Sequence, residues 1–291
     1  MQVRFSKMHG LGNDFVVIDR VSADFQLTSQ RIAALGNRQT GIGFDQLLLV
    51  DPPDKSNCDF RYTIYNSDGT EAEQCGNGAR CFARFVLDNK LTTKKQLRLQ
   101  TNTGEITATL LENTQVEVDM GVPAYFGEDL PFPSANSAEP ELQTLTLDAV
   151  ETPDAAGSST SPTRIEFMPV SMGNPHAVIE VKDVAHAPVN EIGPQVGTHS
   201  AFPAGVNVGF CHYVDQNFVR LRVFERGAGE TKACGTGACA AVVAGVLRNK
   251  LAPKVKVSLP GGKLRIMWNG HGEPVKMIGP TATVFRGEFK V

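Results

Sequence analysis

The chain has little of what marks a secreted, membrane-embedded or nucleic-acid-binding protein. Residues 1–7 lack the apolar core of a signal peptide. The longest apolar run, residues 237–247, is too short to span a bilayer. The net charge is −3 and no run of basic residues stands out, which argues against nucleic acid as a partner. We therefore expect a cytoplasmic protein that binds neither membranes nor nucleic acids.

The six cysteines also lack a pattern that would suit a structural metal ion. No two of them are separated by two residues, and no cluster of histidines completes a tetrahedral set, so no metal site is expected. In a reducing compartment the cysteines should be thiols. We interpret four of them as small buried hydrophobes, namely Cys58, Cys81, Cys211 and Cys239. The neighbours of Cys75 and Cys234 indicate a chemical role instead.

An internal repeat is present. The pattern Cys-Gly-x-Gly-Ala occurs at residues 75–79 and again at 234–238, an offset of 159 residues. Closer to the start, Asn13 in a Gly-Asn pair matches Asn174, at an offset of 161, and Gln46 matches Asn207 at the same offset. Several matched segments at nearly one offset predict two homologous halves.

Each half combines strand patterns with an apolar helix. Thr28 is a predicted N-cap for a short helix from Ser29 to about Leu35. Residues 78–87 and 237–247 also have a helical pattern, and the second run has no polar residue, so we expect it to be buried on all sides. Side chains typical of strands occur at residues 16–18, 46–50 and 60–65. We predict an α+β fold of two pseudo-symmetric domains, each a curved antiparallel sheet wrapped around a central buried helix.

Low-complexity segments lie between the halves, at residues 132–137 and 153–162. We interpret the region around residues 134–163 as a flexible surface insertion near the start of the second half.

The matched positions of the repeat carry polar or reactive side chains, although duplicated residues that served only packing should be apolar. A pseudo-twofold arrangement would bring both sets to a cleft that holds one small polar ligand. For a single asparagine, a cap beside a glycine would be the better interpretation, but the recurrence favours ligand binding. The matched pairs are Asn13 with Asn174, Gln46 with Asn207, Asn66 with Glu225, and Cys75 with Cys234.

Cys75 and Cys234 are each predicted at the first turn of a helix, where unpaired N–H groups and a partial positive charge are found. There the pKa of a thiol should fall from about 8.5 towards neutrality. The neighbouring N–H groups can hold a carboxylate. This combination suits stereoinversion, in which one thiolate removes an α-proton and the opposite thiol returns one on the other face. The N–H groups concerned are those of Gly76, Asn77, Gly235 and Thr236.

Three further residues have predicted roles beside the thiols. His176 and Glu225 are candidates for setting the protonation states of the thiols. Arg226 is a candidate anchor for a second carboxylate through a bidentate contact.

The motifs closely resemble those of diaminopimelate epimerases, and the resemblance spans essentially the whole chain. It implies an isomerase that interconverts LL- and meso-diaminopimelate, a step that supplies lysine and peptidoglycan, and that uses neither pyridoxal phosphate nor a metal. The segments that carry it are residues 5–15, 65–69, 75–81, 172–176, 225–231 and 233–237.

By matching position, the resemblance makes Cys75 and Cys234 the two acid/base residues, assisted by His176 and Glu225. It implies domains of residues 1–122 and 123–280, with a strand at 281–291 that returns to the first domain. It also implies a homodimer, in which Phe285 stands where relatives have a tyrosine at the dimer contact. The substrate-binding residues would be Asn13, Gln46, Asn66, Gly76, Asn77, Asn174, Asn207, Glu225, Arg226, Gly235 and Thr236.

Three alternatives stay open at this point. A proline racemase-like enzyme would use a similar pair of cysteines, although Arg226 and the many amides favour a longer substrate with a second charged end. A non-catalytic small-molecule binding protein would keep the cysteines as inert core. A pyridoxal-dependent racemase would show a visible chromophore.

Overall fold

Two helices of 13 residues each, which begin directly after Cys75 and Cys234, organise the fold. The computed structural model describes residues 1–72, 75–126, 139–147 and 163–291. Two compact units account for these residues. Unit 1 comprises Met1–Met120 and Lys276–Val291, and unit 2 comprises Gly121–Val275.

Strands and helices are numbered in chain order. Those of unit 1 are β1 (Gln2–Gly10), β2 (Asn13–Asp19), α1 (Ser29–Gly36), β3 (Gln46–Asp51), β4 (Phe60–Asn66), β5 (Glu71–Ala72), α2 (Gly76–Asp88), β6 (Gln96–Gln100), β7 (Glu105–Leu110) and β8 (Gln115–Asp119). Those of unit 2 are β9 (Gln143–Leu147), β10 (Thr163–Ser171), β11 (Pro175–Glu180), α3 (Val189–Gly197), β12 (Asn207–Asp215), β13 (Phe218–Glu225), β14 (Gly229–Thr231), α4 (Gly235–Leu247), β15 (Lys254–Leu259) and β16 (Gly262–Met267). Unit 1 is completed by β17 (Lys276–Pro280) and β18 (Ala282–Lys290).

In unit 1 the strands follow the order β18-β1-β2-β3-β4-β6-β7-β8-β17, with the short β5 also paired to β4. The sheet curves around α2, which packs against β1, β2, β3, β7 and β8. The middle of α2 is closed to solvent, from Ala79 to Ala83. These contacts make α2 the central buried helix of this unit.

In unit 2 the order is β9-β10-β11-β12-β13-β15-β16, with β14 also paired to β13. The helix α4 packs against β10 to β13 and β16, and residues 238–244 have no exposed surface. An uninterrupted run of small apolar side chains is what a helix enclosed on all sides requires.

The duplication extends to the strand registers. Phe15 is paired with Gln46 in unit 1, and His176 is paired with Asn207 in unit 2, so both partners are shifted by 161 residues. Helix ends are duplicated as well, because Lys90 and Asn249 both have a left-handed backbone, with φ values of 59° and 55°. The α+β class and the two homologous halves are therefore confirmed.

The expected purely antiparallel sheets need a correction, because four of the described pairs are parallel: β2 with β3, β4 with β6, β11 with β12, and β13 with β15. Each parallel pair is joined by a connection that contains a helix, α1, α2, α3 and α4 in turn. Parallel neighbours need such a crossover. The helices that we predicted as inserts are thus the crossovers of a mixed sheet.

The helix predictions hold with small changes in their bounds. Thr28 Oγ1 accepts a hydrogen bond from Arg31 N at 3.2 Å and caps α1 as expected. The helices α2 and α4 begin at Gly76 and Gly235, two residues before the predicted starts. The reason is that the cysteine side chain itself serves as the N-cap in both.

The domain limits expected from the sequence stay a prediction; the compact units break within five residues of them, at 120/121 and 275/276. Of the insertion expected around residues 134–163, the structure describes 139–147 and part of β10. Residues 143–147 form β9, which pairs with β10, so this part is a strand and not a flexible segment. The rest of that insertion lies outside the described residues. Within the described ranges, no helix is both long enough and apolar enough to cross a membrane.

Candidate functional site

The Cys75 half-site of unit 1 consists of Cys75 and Asn77 on α2 and Asn13 on β2, with Gln46 and Asn66 beside them. Cys75 caps α2, and its Sγ accepts a hydrogen bond from Gly78 N at 3.4 Å. The same Sγ lies 3.8 Å from Asn13 Oδ1, to which Asn77 Nδ2 donates at 3.3 Å. The structure therefore brings three predicted site residues together around one thiol.

Gln46 and Asn66 begin β3 and end β4, and they are partners in the ladder between these strands. Gln46 Nε2 donates to Asn66 Oδ1 at 3.1 Å, and Asn66 Nδ2 donates to Thr70 Oγ1 at 3.1 Å. Gly76, the first residue of α2, has a packing role too. A Cβ there would lie 2.8 Å from Met277 Cε and 2.9 Å from Met120 Cε.

An ionic network lies next to Asn13. Lys7 Nζ is 2.5 Å from Asp14 Oδ2, and Arg38 Nη2 bonds both Asp14 and Asp45 at 2.5 and 2.7 Å. Although burial opposes ionisation, hydrogen bonds from Arg38 and Lys7 lower the pKa of Asp14 to about 2. Asp45 Oδ2 accepts hydrogen bonds from Asn13 Nδ2 at 2.9 Å and from Asp14 N at 3.0 Å. Sequence reasoning did not identify Asp45 as part of the site.

The Cys234 half-site of unit 2 consists of Cys234 and Thr236 on α4 and of Asn174 and His176 at the start of β11. Cys234 caps α4, and its Sγ accepts a hydrogen bond from Gly237 N at 3.4 Å, the same distance as in the Cys75 half-site. Thr236 Oγ1 lies 3.6 Å from this Sγ and accepts a hydrogen bond from Asn174 Nδ2 at 3.3 Å. Gly235 is the first residue of α4.

The expectation of a lowered thiol pKa is wrong for Cys234 in this structure. The residue is 3% exposed, and burial together with the charge of Glu225 raises the pKa of its thiol well above the ordinary value. Hydrogen bonds from Thr236 and Gly237 act in the opposite direction and are the weaker effect. Helix-end stabilisation of a thiolate is thus outweighed where the sulfur is also buried beside a carboxylate.

His176 is buried, and burial lowers the pKa of its imidazole to about 3, so the ring is neutral at physiological pH. Its Nε2 lies 3.1 Å from Asn174 Oδ1. Because a carbonyl oxygen can only accept, Nε2 carries the proton. His176 therefore orients Asn174, whose Nδ2 is turned towards Thr236.

We predict that His176 does not titrate between pH 5 and pH 9. Lowering the pKa to about 3 places the charge change of its imidazole below this range, and nitrogen-15 NMR of the histidine rings should show a neutral Nε2–H tautomer throughout. His186 is the matched control, because it is exposed and is paired with Asp183 at 2.6 Å. A midpoint near the ordinary value of about 6.5 for His176 would contradict the prediction.

The remaining unit 2 residues lie at the end of β13 and the start of β12. Asn207 Oδ1 accepts a hydrogen bond from Arg226 N at 3.0 Å, and Asn207 Nδ2 donates to Pro175 O at 3.1 Å. Arg226 Nη1 donates to Ala204 O at 2.6 Å, and in the described part of the chain no carboxylate pairs with this guanidinium. Glu225 Oε1 accepts a short hydrogen bond from Thr231 Oγ1.

The other cysteines lie in the core, as expected: Cys58 is 8% exposed, and Cys81, Cys211 and Cys239 have no exposed surface. Burial raises the pKa of Cys81 and Cys211 to about 12. Among the described residues, no group of three or more His, Cys, Asp or Glu side chains could hold a metal ion.

Two further residues beside Cys75 escaped sequence reasoning. Tyr62 Oη donates to Cys75 O at 3.1 Å, and a Cβ at Gly78 would lie only 2.2 Å from this hydroxyl, so the phenol occupies the space that a glycine leaves. Arg80 is fully buried in α2 and donates to Asn77 Oδ1 at 3.0 Å. A signal for Arg80 was present, since it is a charged residue in an otherwise apolar stretch of helix.

Comparison with known proteins bears on this pair of half-sites. The family model described as diaminopimelate epimerase matches residues 5–126 and 168–284. The chain is 50% identical to the diaminopimelate epimerase of Pseudomonas syringae pv. syringae (strain B728a) and 49% identical to that of Azotobacter vinelandii. Both alignments cover all of this chain and all of the relative.

Solved structures share the fold at low identity. A PhzF-family phenazine biosynthesis protein of Bacillus anthracis has a TM-score of 0.67 at 15% identity, and each chain is covered completely. A hydroxyproline epimerase from Agrobacterium vitis has a TM-score of 0.62 at 16% identity, over 99% of this chain and 92% of that one. With a full-length match to its model and relatives at half identity, the chain belongs to the diaminopimelate epimerase family.

Proposed function

We propose that this protein interconverts LL- and meso-diaminopimelate by proton transfer between the thiols of Cys75 and Cys234, without pyridoxal phosphate or a metal ion. The single observation that carries the proposal is the duplicated cap: each Sγ accepts a hydrogen bond from the glycine N–H three residues on, at 3.4 Å in both halves. Family membership and relatives with this name support the substrate.

The chemistry follows from what surrounds each cap. The first N–H groups of α2 and α4 have no partner within their helix and can hold the carboxylate that is attached to the reacting carbon. In one direction Cys75 removes the α-proton as a thiolate and Cys234 returns a proton on the opposite face; in the other direction the roles exchange. The negative charge that develops is delocalised into the carboxylate, where N–H donors stabilise it.

Glu225 and His176 assist in different ways. The charge of Glu225 raises the pKa of Cys234 and so favours the protonated thiol that must donate. His176 is neutral and acts through Asn174, which donates to Thr236 next to the Cys234 thiol. We assign substrate binding to the amides and helix starts of both half-sites: Asn13, Gln46, Asn66, Gly76, Asn77, Asn174, Asn207, Glu225, Arg226, Gly235 and Thr236.

The test is incubation of the purified protein with LL-diaminopimelate in heavy water without any added cofactor. We expect the meso isomer to form and one α-deuterium to enter the product. Proline serves as the second substrate, because a proline racemase-like activity is the nearest alternative. Racemisation of proline with no conversion of diaminopimelate would overturn the proposal, and so would a visible absorption band that is lost together with activity.

We also propose a cytoplasmic homodimer with Phe285 at the contact. Phe285 lies on β18 and is 47% exposed, and its neighbour Val284 is 58% exposed. An exposed apolar pair on an edge strand is a surface that association can cover. Its ring is anchored from below, since it packs edge-on against Phe5 at 6.0 Å.

We predict that Phe285→Glu shifts the protein from dimer to monomer in analytical ultracentrifugation, because a charge would be buried in the interface. Val214→Glu is the control, since Val214 is also exposed, at 41%, and lies at the end of β12 in unit 2. A wild-type protein that sediments as a monomer would contradict the dimer.

A further inference from the structure

A directional chain of hydrogen bonds in unit 1 runs from a buried guanidinium to a carboxylate. Arg80 Nη2 donates to Asn77 Oδ1 at 3.0 Å, Asn77 Nδ2 donates to Asn13 Oδ1 at 3.3 Å, and Asn13 Nδ2 donates to Asp45 Oδ2 at 2.9 Å. A guanidinium can only donate and a carboxylate can only accept. The two ends therefore determine which atom of each amide faces which neighbour.

Arg80 is an unusual residue for its position. It has no exposed surface, and burial of an ionised guanidinium is costly unless its donors are satisfied. The matching position on α4, 159 residues later, is Cys239, which is also fully buried, so the packing of this helix in its sheet does not require an arginine. Gly10 leaves room for the charge, because a Cβ there would lie 3.0 Å from Arg80 Nη2.

The corresponding chain in unit 2 runs in the opposite direction. His176 Nε2 donates to Asn174 Oδ1, and Asn174 Nδ2 donates to Thr236 Oγ1. There the strand residue donates to the helix residue, whereas in unit 1 the helix residue donates to the strand residue. Matched asparagines thus present different atoms, and Phe15 and Val206 stand at the unit 1 and unit 2 positions that match His176 and Asp45. The end groups, and not the repeat, set the direction.

We propose that Arg80 and Asp45 are positioning residues that hold the amides of Asn77 and Asn13 in one orientation, with Asn13 Oδ1 turned towards Cys75. The proposal rests on the proposed function, in which both amides bind substrate. Neither end needs to touch the substrate. With both ends in place, a flip of either amide would oppose two donors or two acceptors, so the half-site is preorganised for its ligand.

The first test compares two replacements at Asp45. Asp45→Ala removes the acceptor, and kcat/KM for diaminopimelate should fall at least tenfold. Asp45→Asn keeps an oxygen that can accept from Asn13 Nδ2, so it should remain within threefold of wild type. The control Arg38→Met removes the cation that pairs with Asp45 at 2.7 Å and should also stay within threefold. If Asp45→Asn is as impaired as Asp45→Ala, the charge matters and not the acceptor, and the proposal fails.

The second test addresses the other end of the chain. Arg80→Met fills the same buried space without a donor, and kcat/KM should fall at least tenfold. Arg84→Met is the matched control, because Arg84 lies one turn later on α2, is 30% exposed and pairs with Asp88 at 2.9 Å. Activity of Arg80→Met within threefold of wild type would remove Arg80 from the chain. If that variant does not fold, the Asp45 pair and the NMR measurement below decide.

A spectroscopic measurement separates the positioning role from the proposed function. With nitrogen-15 asparagine, the side-chain N–H groups of Asn13 and Asn77 that donate in the chain should exchange slowly with solvent. Protection should persist in Asp45→Asn and disappear in Asp45→Ala. This outcome needs no substrate, so it holds even if the wild-type protein does not convert diaminopimelate, a result that would refute the proposed function alone. Equal protection in Asp45→Ala and wild type would overturn the positioning role.

Discussion

Cys75→Ala and Cys234→Ala should each abolish epimerisation, with a loss of about 100-fold or more in rate, while the fold is retained. Each thiol serves one face of the reacting carbon in the proposed mechanism, and loss of one general acid or base removes that face entirely. Both cysteines also cap a helix through Sγ, at 3.4 Å in each half. We therefore expect a small destabilisation beside the loss of activity, of about 1 kcal/mol.

Exchange without inversion is the more specific expectation. A variant with one remaining thiol keeps the N–H groups of both helices and can still remove the α-proton on the side that this thiol faces. That proton can return only from the same side. In heavy water, each variant should therefore exchange the α-hydrogen of one configuration slowly and leave the configuration unchanged, and the two variants should act on opposite configurations.

Controls for this experiment lie on the same two helices. Cys81→Ala and Cys239→Ala remove fully buried thiols on α2 and α4 and should retain epimerase activity. The two-thiol mechanism would be refuted by near wild-type epimerisation in either Cys75→Ala or Cys234→Ala, because a single base would then be sufficient.

Arg226→Lys should lower kcat/KM for diaminopimelate roughly 30-fold, although the positive charge is kept. A lysine ammonium cannot reproduce the planar pair of donors with which a guanidinium binds a carboxylate, and one charge-assisted hydrogen bond is worth about 2 kcal/mol. Arg226 is suited to this role because one of its nitrogens is held by Ala204 O while, among the described residues, no carboxylate neutralises it.

A matched control exists four residues earlier on the same strand. Arg222 makes the bidentate contact within the protein, with 2.6 and 2.8 Å to the two oxygens of Glu230. Arg222→Lys should lower the free energy of unfolding slightly and leave kcat/KM within threefold. A substrate analogue without the second carboxylate should be used equally by wild type and Arg226→Lys. If the variant discriminates against this analogue as well, Arg226 does not bind the second carboxylate.

The repeat made most of the fold predictable from the sequence. Its offsets of 159 and 161 residues reappear in the strand registers and in the two cysteine caps. The direction of neighbouring strands was not predictable in the same way. Strand patterns do not encode which neighbour a strand takes, and the helix between β2 and β3 had to be recognised as a crossover.

Features that are not duplicated were also beyond the sequence. Arg80 and Asp45 have no polar counterpart at the matching positions, where Cys239 and Val206 stand, so comparison of the halves passes over them. The raised pKa of Cys234 depends on burial depth and on its closeness to Glu225. Both are properties of the folded chain, since nine residues separate Glu225 from Cys234 in the sequence.

The return of the chain to unit 1 has a consequence for synthesis on the ribosome. Strands β17 and β18 pair with β8 and β1, so both edges of the unit 1 sheet are closed by residues translated after all of unit 2. Unit 2 can therefore complete its sheet while β1 and β8 still present unpaired N–H and C=O groups. Until residues 276–291 emerge, these open edges are the part of the nascent chain most exposed to association with other chains. Translation that stalls before residue 276 would leave a finished unit 2 joined to an incomplete, aggregation-prone unit 1.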